Sequence, residues 1–131
     1  MEQTNSKAEA LLEQGMDYIE NDAVDRGLPY LKQAAELGLL EAQGMYLGTL
    51  LELSEDSDKD YTKEIKKCVE WIRAAAINGN PEGQGMLGEI YSGGLGVPEN
   101  QETAVKWYRK AAMQGNDGAQ YYLGECYYLG K

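Results

Sequence analysis

The sequence predicts an all-α solenoid built of antiparallel helix pairs, because one phrase recurs along the chain and small residues recur within it. An aromatic residue, Tyr30, Trp71 or Trp107, precedes each copy by four positions. Self-similarity with a period of roughly 20–50 residues is typical of repeat architectures. The copies are AAELGLLEAQ at 34–43, AAINGNPEGQ at 75–84 and AAMQGNDGAQ at 111–120.

The similarity extends to both sides of the phrase. Upstream, CVEWIRAAA at 68–76 aligns with AVKWYRKAA at 104–112; downstream, QGMLGEIYSGG at 84–94 aligns with QYYLGECYYLG at 120–130. Apolar and small residues in these segments recur at steps of three and four, which places them on one face of a helix. Each unit is therefore predicted to be a helix A, a turn, a helix B and a second turn. Within one domain of residues 1–131, the predicted units are 8–41, 42–82 and 83–118, followed by a terminal helix at 119–131.

The recurring small residues predict close packing between helices. Gly88, Gly124 and the alanine pairs that end each helix B would let neighbouring helices approach to the short end of about 8–10 Å. A glycine in a helix costs about 1 kcal/mol relative to alanine, so close contact must offset that loss. The glycines after each alanine pair are predicted to end helix B in the left-handed conformation. They are Gly38, Gly79 and Gly115.

Several helix boundaries are predicted from individual residues. Pro81 is expected to stop the helix before it, and Glu99 or Asn100 to cap the helix that follows the SGGLGVP turn. Residues 53–62, LSEDSDKDYT, predict a polar acidic loop between the helices of the second unit, with a cap for the next helix. Helix B of the first unit is expected to start near Asp25–Gly27, with Pro29 in its first turn.

Composition excludes most catalytic chemistry. The chain has no histidine, which removes the commonest general base and metal ligand. Its two cysteines, Cys68 and Cys126, form no CxxC pair and are predicted to pack as small hydrophobic residues. No catalytic, cofactor-binding or metal-binding residue is predicted.

The charge favours some partners over others. The formal net charge is −10, and residues 1–60 carry all of the excess, with fourteen carboxylates against four lysines or arginines. Such a chain repels phosphate backbones, so nucleic-acid binding is disfavoured and a basic or neutral protein partner is favoured. Plain solubility is the alternative explanation. The absence of a long apolar run and of a leader sequence predicts a cytoplasmic protein without a membrane segment.

Three local patterns fall short of known sites. Asp56, Asp58 and Asp60 alternate as in a calcium-binding loop, but Tyr61 replaces the required glycine and Lys67 replaces the closing glutamate. The glycines at 93–96 lack the GK[ST] of a phosphate loop, and no S-x-x-K occurs. A surface loop and a turn explain the first two.

Residues 85–116, GMLGEIYSGGLGVPENQETAVKWYRKAAMQGN, closely resemble the Sel-one-like repeat. They supply its LGxxY, GxGV, acidic cap, WY, KAA and QG elements. The second unit is similar except for its acidic insertion, and the first is nearer to a tetratricopeptide repeat. The resemblance implies a right-handed α/α superhelix that acts as an adaptor or scaffold. A cysteine-rich branch of the family is linked to β-lactam hydrolysis, but its cysteines would stand at Ala112 and Ala119.

The tetratricopeptide-like register implies that helices A line a concave groove for a peptide or protein, with Gly44 and Gly85 leaving room on its floor. Ordinary solvated helix positions are the alternative. The predicted groove residues are Glu9, Leu12, Met16 and Ile19; Glu41, Gly44, Gly48, Leu51 and Glu52; Glu82, Gly85, Glu89 and Ser92; and Tyr121, Glu125 and Tyr128.

The last helix forms a second candidate surface, since four of the ten tyrosines fall in the last eleven residues: Tyr121, Tyr122, Tyr127 and Tyr128. A lone helix A would leave apolar surface uncovered. It is an imperfect cap, the edge of a longer array or a dimer face; the array edge is favoured because the sequence stops within the pattern.

These observations together predict a non-catalytic protein-interaction module that binds a peptide or protein, with a basic partner preferred. The alternatives are a structural segment of a longer repeat protein and, less favoured, an enzyme acting on cell-wall or β-lactam substrates.

Overall fold

A computed structural model describes residues 2–56 and 58–129, and the side chains of 5–56, 58–125 and 128. Within these residues the chain forms seven α-helices and no strand, which confirms the predicted all-α class. The helices are α1 (Glu2–Glu20), α2 (Val24–Glu36), α3 (Leu40–Asp56), α4 (Thr62–Ile77), α5 (Pro81–Gly93), α6 (Gln101–Met113) and α7 (Asp117–Leu129).

The chain divides into two compact units, residues 1–68 and 69–131, with the division inside α4. In the first unit α1 packs against α2, and α2 packs against α3. In the second unit α5 packs against α6, α6 packs against α7, and α5 also touches α7. The odd-numbered helices are the predicted helices A and the even-numbered ones the helices B. The assignment of residues 1–131 to one domain stays a prediction.

Two glycines set the close approach of α1 and α2. A Cβ atom on Gly27 would stand 2.6 Å from the carbonyl oxygen of Gly15 and 2.9 Å from the Ile19 side chain. A Cβ atom on Gly15 would stand 3.0 Å from Leu31, which is fully buried. The pair can therefore come this close only because both positions lack a side chain.

The second unit uses small residues in the same way. The Tyr108 ring of α6 lies on Gly88 of α5, with ring carbons 2.6 Å from where a Cβ atom would stand. Gly83 of α5 similarly lies against Ala75 of α4, at 2.9 Å. The predicted role of the small residues is confirmed at these positions. It is wrong for Gly124, where no described atom lies within 4 Å of the Cβ position.

The helix ends follow from capping residues. Gly38, Gly79 and Gly115 adopt φ angles of 96°, 93° and 90°, so the predicted left-handed ends of helices B are confirmed. Asn100 accepts a hydrogen bond from the Thr103 amide at 3.0 Å, which makes it the cap that the sequence left open between two residues.

Pro81 corrects one boundary prediction. It is the first residue of α5 instead of a stop after α4, since Asn80 caps α5 by accepting bonds from the Glu82 and Gly83 amides at 2.9 and 3.1 Å. The first helical position suits proline because its amide would have no intrahelical partner. The glycine at 79 already ends α4.

Two other boundaries differ from their predictions. Residues 53–56, predicted as loop, continue α3, and the acidic connection is correspondingly shorter. Its predicted cap is confirmed, because Asp60 accepts a hydrogen bond from the Thr62 amide at 3.0 Å. Helix α2 begins at Val24, one residue before the predicted range, which places Pro29 beyond the first turn.

Cys68 lies in the core of the first unit and is fully buried, as predicted. Burial raises the pKa of its thiol to about 12, so the reactive thiolate is scarce at neutral pH. Cys126 lies outside the described side chains.

Candidate partner-binding site

A repeated glutamine fixes each helix A onto the preceding helix B. The side-chain amides of Gln43, Gln84 and Gln120 donate to the backbone carbonyls of Ala35, Ala76 and Ala112, each at 3.1 Å. Each of these carbonyls also accepts the amide of the glycine three residues later. The final Q of the repeated phrase therefore ties consecutive helices together.

Sequence analysis recorded this glutamine without giving it a role. The signal was its fixed spacing, eight residues after the second alanine in all three copies. Gln43 and Gln84 are only 6% and 5% exposed. A polar residue repeated at one position among buried neighbours indicates a required hydrogen bond.

In the second unit, α5 and α7 are joined through Asn116. Its side-chain oxygen accepts the Ala119 amide at 2.8 Å and so caps α7, while its side-chain nitrogen donates to the Pro81 carbonyl at 3.3 Å. The same side chain lies 3.5 Å from the Cβ position of Gly85. The N-terminal ends of the two helices A are thereby held beside each other.

The predicted residues on α5 and α7 form an acidic and aromatic surface. Glu82 and Glu89 are exposed, and partial desolvation raises the pKa of the Glu89 carboxyl. Tyr121 is 65% exposed and Tyr128 is 90% exposed. The Tyr121 hydroxyl donates to Glu125 at 3.1 Å, and this bond raises the pKa of the Tyr121 phenol. We call these five residues the α5–α7 face.

Ser92 is less available than the other predicted residues of the second unit. Its hydroxyl bonds to Gln101 at 3.2 Å, and its carbonyl accepts the Gln101 side-chain amide at 3.0 Å. These contacts close the turn between α5 and α6. We therefore leave Ser92 out of the α5–α7 face.

In the first unit, the predicted glutamates Glu9, Glu41 and Glu52 are exposed, and so is Gly48. Leu12 is a correction: it is 6% exposed and belongs to the core, because α1 turns this position toward its neighbours. The remaining predicted residues of this unit are half-buried: Met16, Ile19, Gly44 and Leu51.

Charge is segregated by helix type, which the comparison of the two halves of the sequence did not show. The four helices A carry thirteen carboxylates and a single base, Lys7. The three helices B carry five carboxylates and nine lysines or arginines. The second half of the chain is neutral in total, yet α5 and α7 carry acidic residues and no basic ones.

No chemistry beyond binding is assembled in the described residues. They contain no group of three or more cysteine or acidic side chains arranged to hold a metal ion. None of the helices in this part of the chain is long and apolar enough to cross a membrane.

Comparison with known proteins agrees with the repeat structure. The chain is 41% identical over 75 residues to the DAP3-binding cell death enhancer 1 of Rattus norvegicus and 38% identical over 76 residues to that of Mus musculus. These alignments cover 57% and 58% of the chain. The chain spans only 13% and 14% of the length of these relatives.

Two solved structures share the fold, each with a TM-score of 0.67. A Sel1 repeat protein from Oxalobacter formigenes is 26% identical and is matched over 95% of this chain and 50% of its own. A protective antigen of uropathogenic Escherichia coli strains, which displays an SLR fold, is 31% identical and is matched over 98% of this chain and 28% of its own.

The family profile for the Sel1 repeat, the Sel-one-like repeat named above, matches residues 8–39, 45–80, 81–116 and 118–131. Proteins with this repeat generally mediate protein–protein interactions and are typically non-catalytic scaffolds. The chain belongs to the Sel1 repeat family.

Proposed function

We propose that this chain is a non-catalytic binding module that captures a basic segment of a partner protein on the exposed surface of its helices A. The observation that carries the proposal is the charge segregation, since helices A expose carboxylates almost without bases. A relative whose name describes it as DAP3-binding supports the protein-binding class.

The α5–α7 face has the chemistry that such a segment needs. Glu82, Glu89 and Glu125 offer carboxylates to lysine or arginine, and Tyr121 and Tyr128 offer aromatic surface. Tyrosine is enriched among the residues that dominate binding energy at protein interfaces. Charge complementarity would chiefly set the partner and the association rate, and salt would weaken it.

In the first unit, the equivalent proposal rests on Glu9, Glu41 and Glu52, with Met16 and Leu51 as apolar neighbours on the same helices. The exposed glycine Gly48 leaves open space beside them, since no described atom lies within 4 Å of its Cβ position. This face is proposed for the first unit by itself.

Charge reversal tests the proposal. A random peptide library selected on the protein is expected to yield sequences enriched in lysine and arginine. The triple variant Glu82→Lys, Glu89→Lys, Glu125→Lys should weaken binding of a selected peptide by about tenfold or more, because each close ion pair at an interface contributes of order 1 kcal/mol. Binding is measured by titration calorimetry at low and high salt.

The matched control reverses charge on helices B, with Glu70→Lys and Glu102→Lys, both exposed. This variant should bind within twofold of the original protein. Peptides without basic enrichment, or equal losses in both variants, would contradict the proposal.

A segment within a longer array is the second candidate function. It is favoured by the solved relatives, in which this chain matches 50% and 28% of the length of a repeat protein. Here the ends of the stack would matter more than the α5–α7 face, and the charge-reversed triple variant would behave as the original.

A further inference from the structure

Helix α7 copies α5 but lacks its covering helix among the described residues. Leu87-Gly88-Glu89 of α5 corresponds to Leu123-Gly124-Glu125 of α7, and residues 118–131 match the family repeat. Gly88 is buried beneath the Tyr108 ring, whereas Gly124 has no described atom within 4 Å of its Cβ position. The same local sequence therefore stands in two different environments.

The α5–α6 pair shows what fits on such a surface. Three residues of α6 that lie on one face, Ala104, Tyr108 and Ala111, are fully or almost fully buried. The alanines let the helices approach, and the aromatic ring fills the space above Gly88. A helix with an aromatic residue between two alanines is thus the shape complement of this repeated surface.

Charge specifies the occupant further. Helix α7 carries Asp117 and Glu125 and no lysine or arginine, as α5 carries Glu82 and Glu89 and none. The helix that covers α5 is basic, with three lysines or arginines against one glutamate. The complement of α7 is accordingly a basic helix.

We propose that α7 binds, through Gly124, a helix of a partner polypeptide that carries an aromatic residue between alanines and a net positive charge. The site differs from the α5–α7 face, because Tyr121 and Glu125 occupy the register positions of Gly85 and Glu89, which Tyr108 does not cover. Tyr122, which stacks on Tyr108 at 5.3 Å, continues the existing α6–α7 interface beside the site.

A synthetic peptide with the sequence of residues 98–116, which includes all of α6, is the probe. Fluorescence anisotropy of the labelled peptide with the full chain should give saturable binding. Gly124→Leu should weaken it by about tenfold or more, because the new side chain fills the space that the aromatic ring needs. Gly124→Ala should weaken it less.

Two controls separate this site from other causes. Gly48→Leu introduces the same side chain at another exposed helical glycine and should leave binding within twofold. The peptide variant Tyr108→Ala should bind at least tenfold more weakly, and it leaves the folded protein untouched. Glu82→Lys with Glu89→Lys should have little effect, although it abolishes binding to the α5–α7 face.

Absence of saturable binding would overturn the proposal, as would equal binding by the Gly124→Leu and original proteins. Hydrogen exchange should show new protection in α7, and protection confined to α1–α3 would also contradict it. A chain that is dimeric by sedimentation, and becomes monomeric with Gly124→Leu, would assign this surface to a second copy and reject the partner helix.

Discussion

Replacing Gly27 by alanine is expected to lower the free energy of unfolding by about 1–3 kcal/mol, the usual cost of overpacking a close-packed contact. The added Cβ atom would stand 2.6 Å from the Gly15 carbonyl oxygen, which belongs to the backbone and cannot turn away as a side chain can. Helices α1 and α2 would have to separate. This loss exceeds the gain of about 1 kcal/mol that alanine brings to a helix interior.

Gly48→Ala is the matched control, because Gly48 is also helical but its Cβ position is open. It should stabilise the protein by about 1 kcal/mol through helix propensity. Urea unfolding followed by circular dichroism measures both changes. Stabilisation by Gly27→Ala would show that the α1–α2 contact is looser than described.

Replacing Gln84 by glutamate should lower stability at pH 7 by about 3 kcal/mol, as expected for an unpaired buried charge. The Gln84 amide donates to the Ala76 carbonyl, and a carboxylate cannot. Only the Gln114 amide, which donates to Gln84 at 2.7 Å, would remain as a partner. The new carboxyl would keep its proton to avoid this loss.

The pH dependence follows from that retained proton. The folded-state pKa of the new carboxyl lies above its unfolded value of about 4.3, so the defect is smallest below the unfolded pKa and grows as pH rises through the folded pKa. Urea unfolding of the variant relative to the original protein at pH 4 and pH 7 measures this. Gln120→Glu, at an exposed copy of the same bond, should show a much smaller difference. Equal effects at both sites would contradict the requirement for a buried amide.

The fold could be predicted from the sequence because its signals are local and repeated. Glycine at a helix end or asparagine before a helix acts within a few residues, so Gly38, Gly79 and Asn100 were readable. Pro81 was misassigned because a proline after a helix and a proline opening the next one look alike when the connection is only three residues long.

The site was less predictable because its features depend on packing between helices. Leu12 lies at a groove position of the repeat register, yet the direction in which α1 packs makes it a core residue. The difference between Gly88 and Gly124 depends on which helix lies above each, and identical local sequence cannot express that. Charge segregation became visible only when residues were counted by helix instead of by half of the chain.

Site-specific photo-crosslinking tests the central claim most directly. A benzoylphenylalanine placed at Tyr121 or Tyr128 on the α5–α7 face should crosslink to the selected basic peptide, and the same probe at Met113 of α6, also highly exposed, should not. High salt should reduce the yield, since screening weakens exposed charge pairs. Crosslinking from Met113 with an equal or greater yield than from Tyr121 and Tyr128 would contradict binding on the helix A surface.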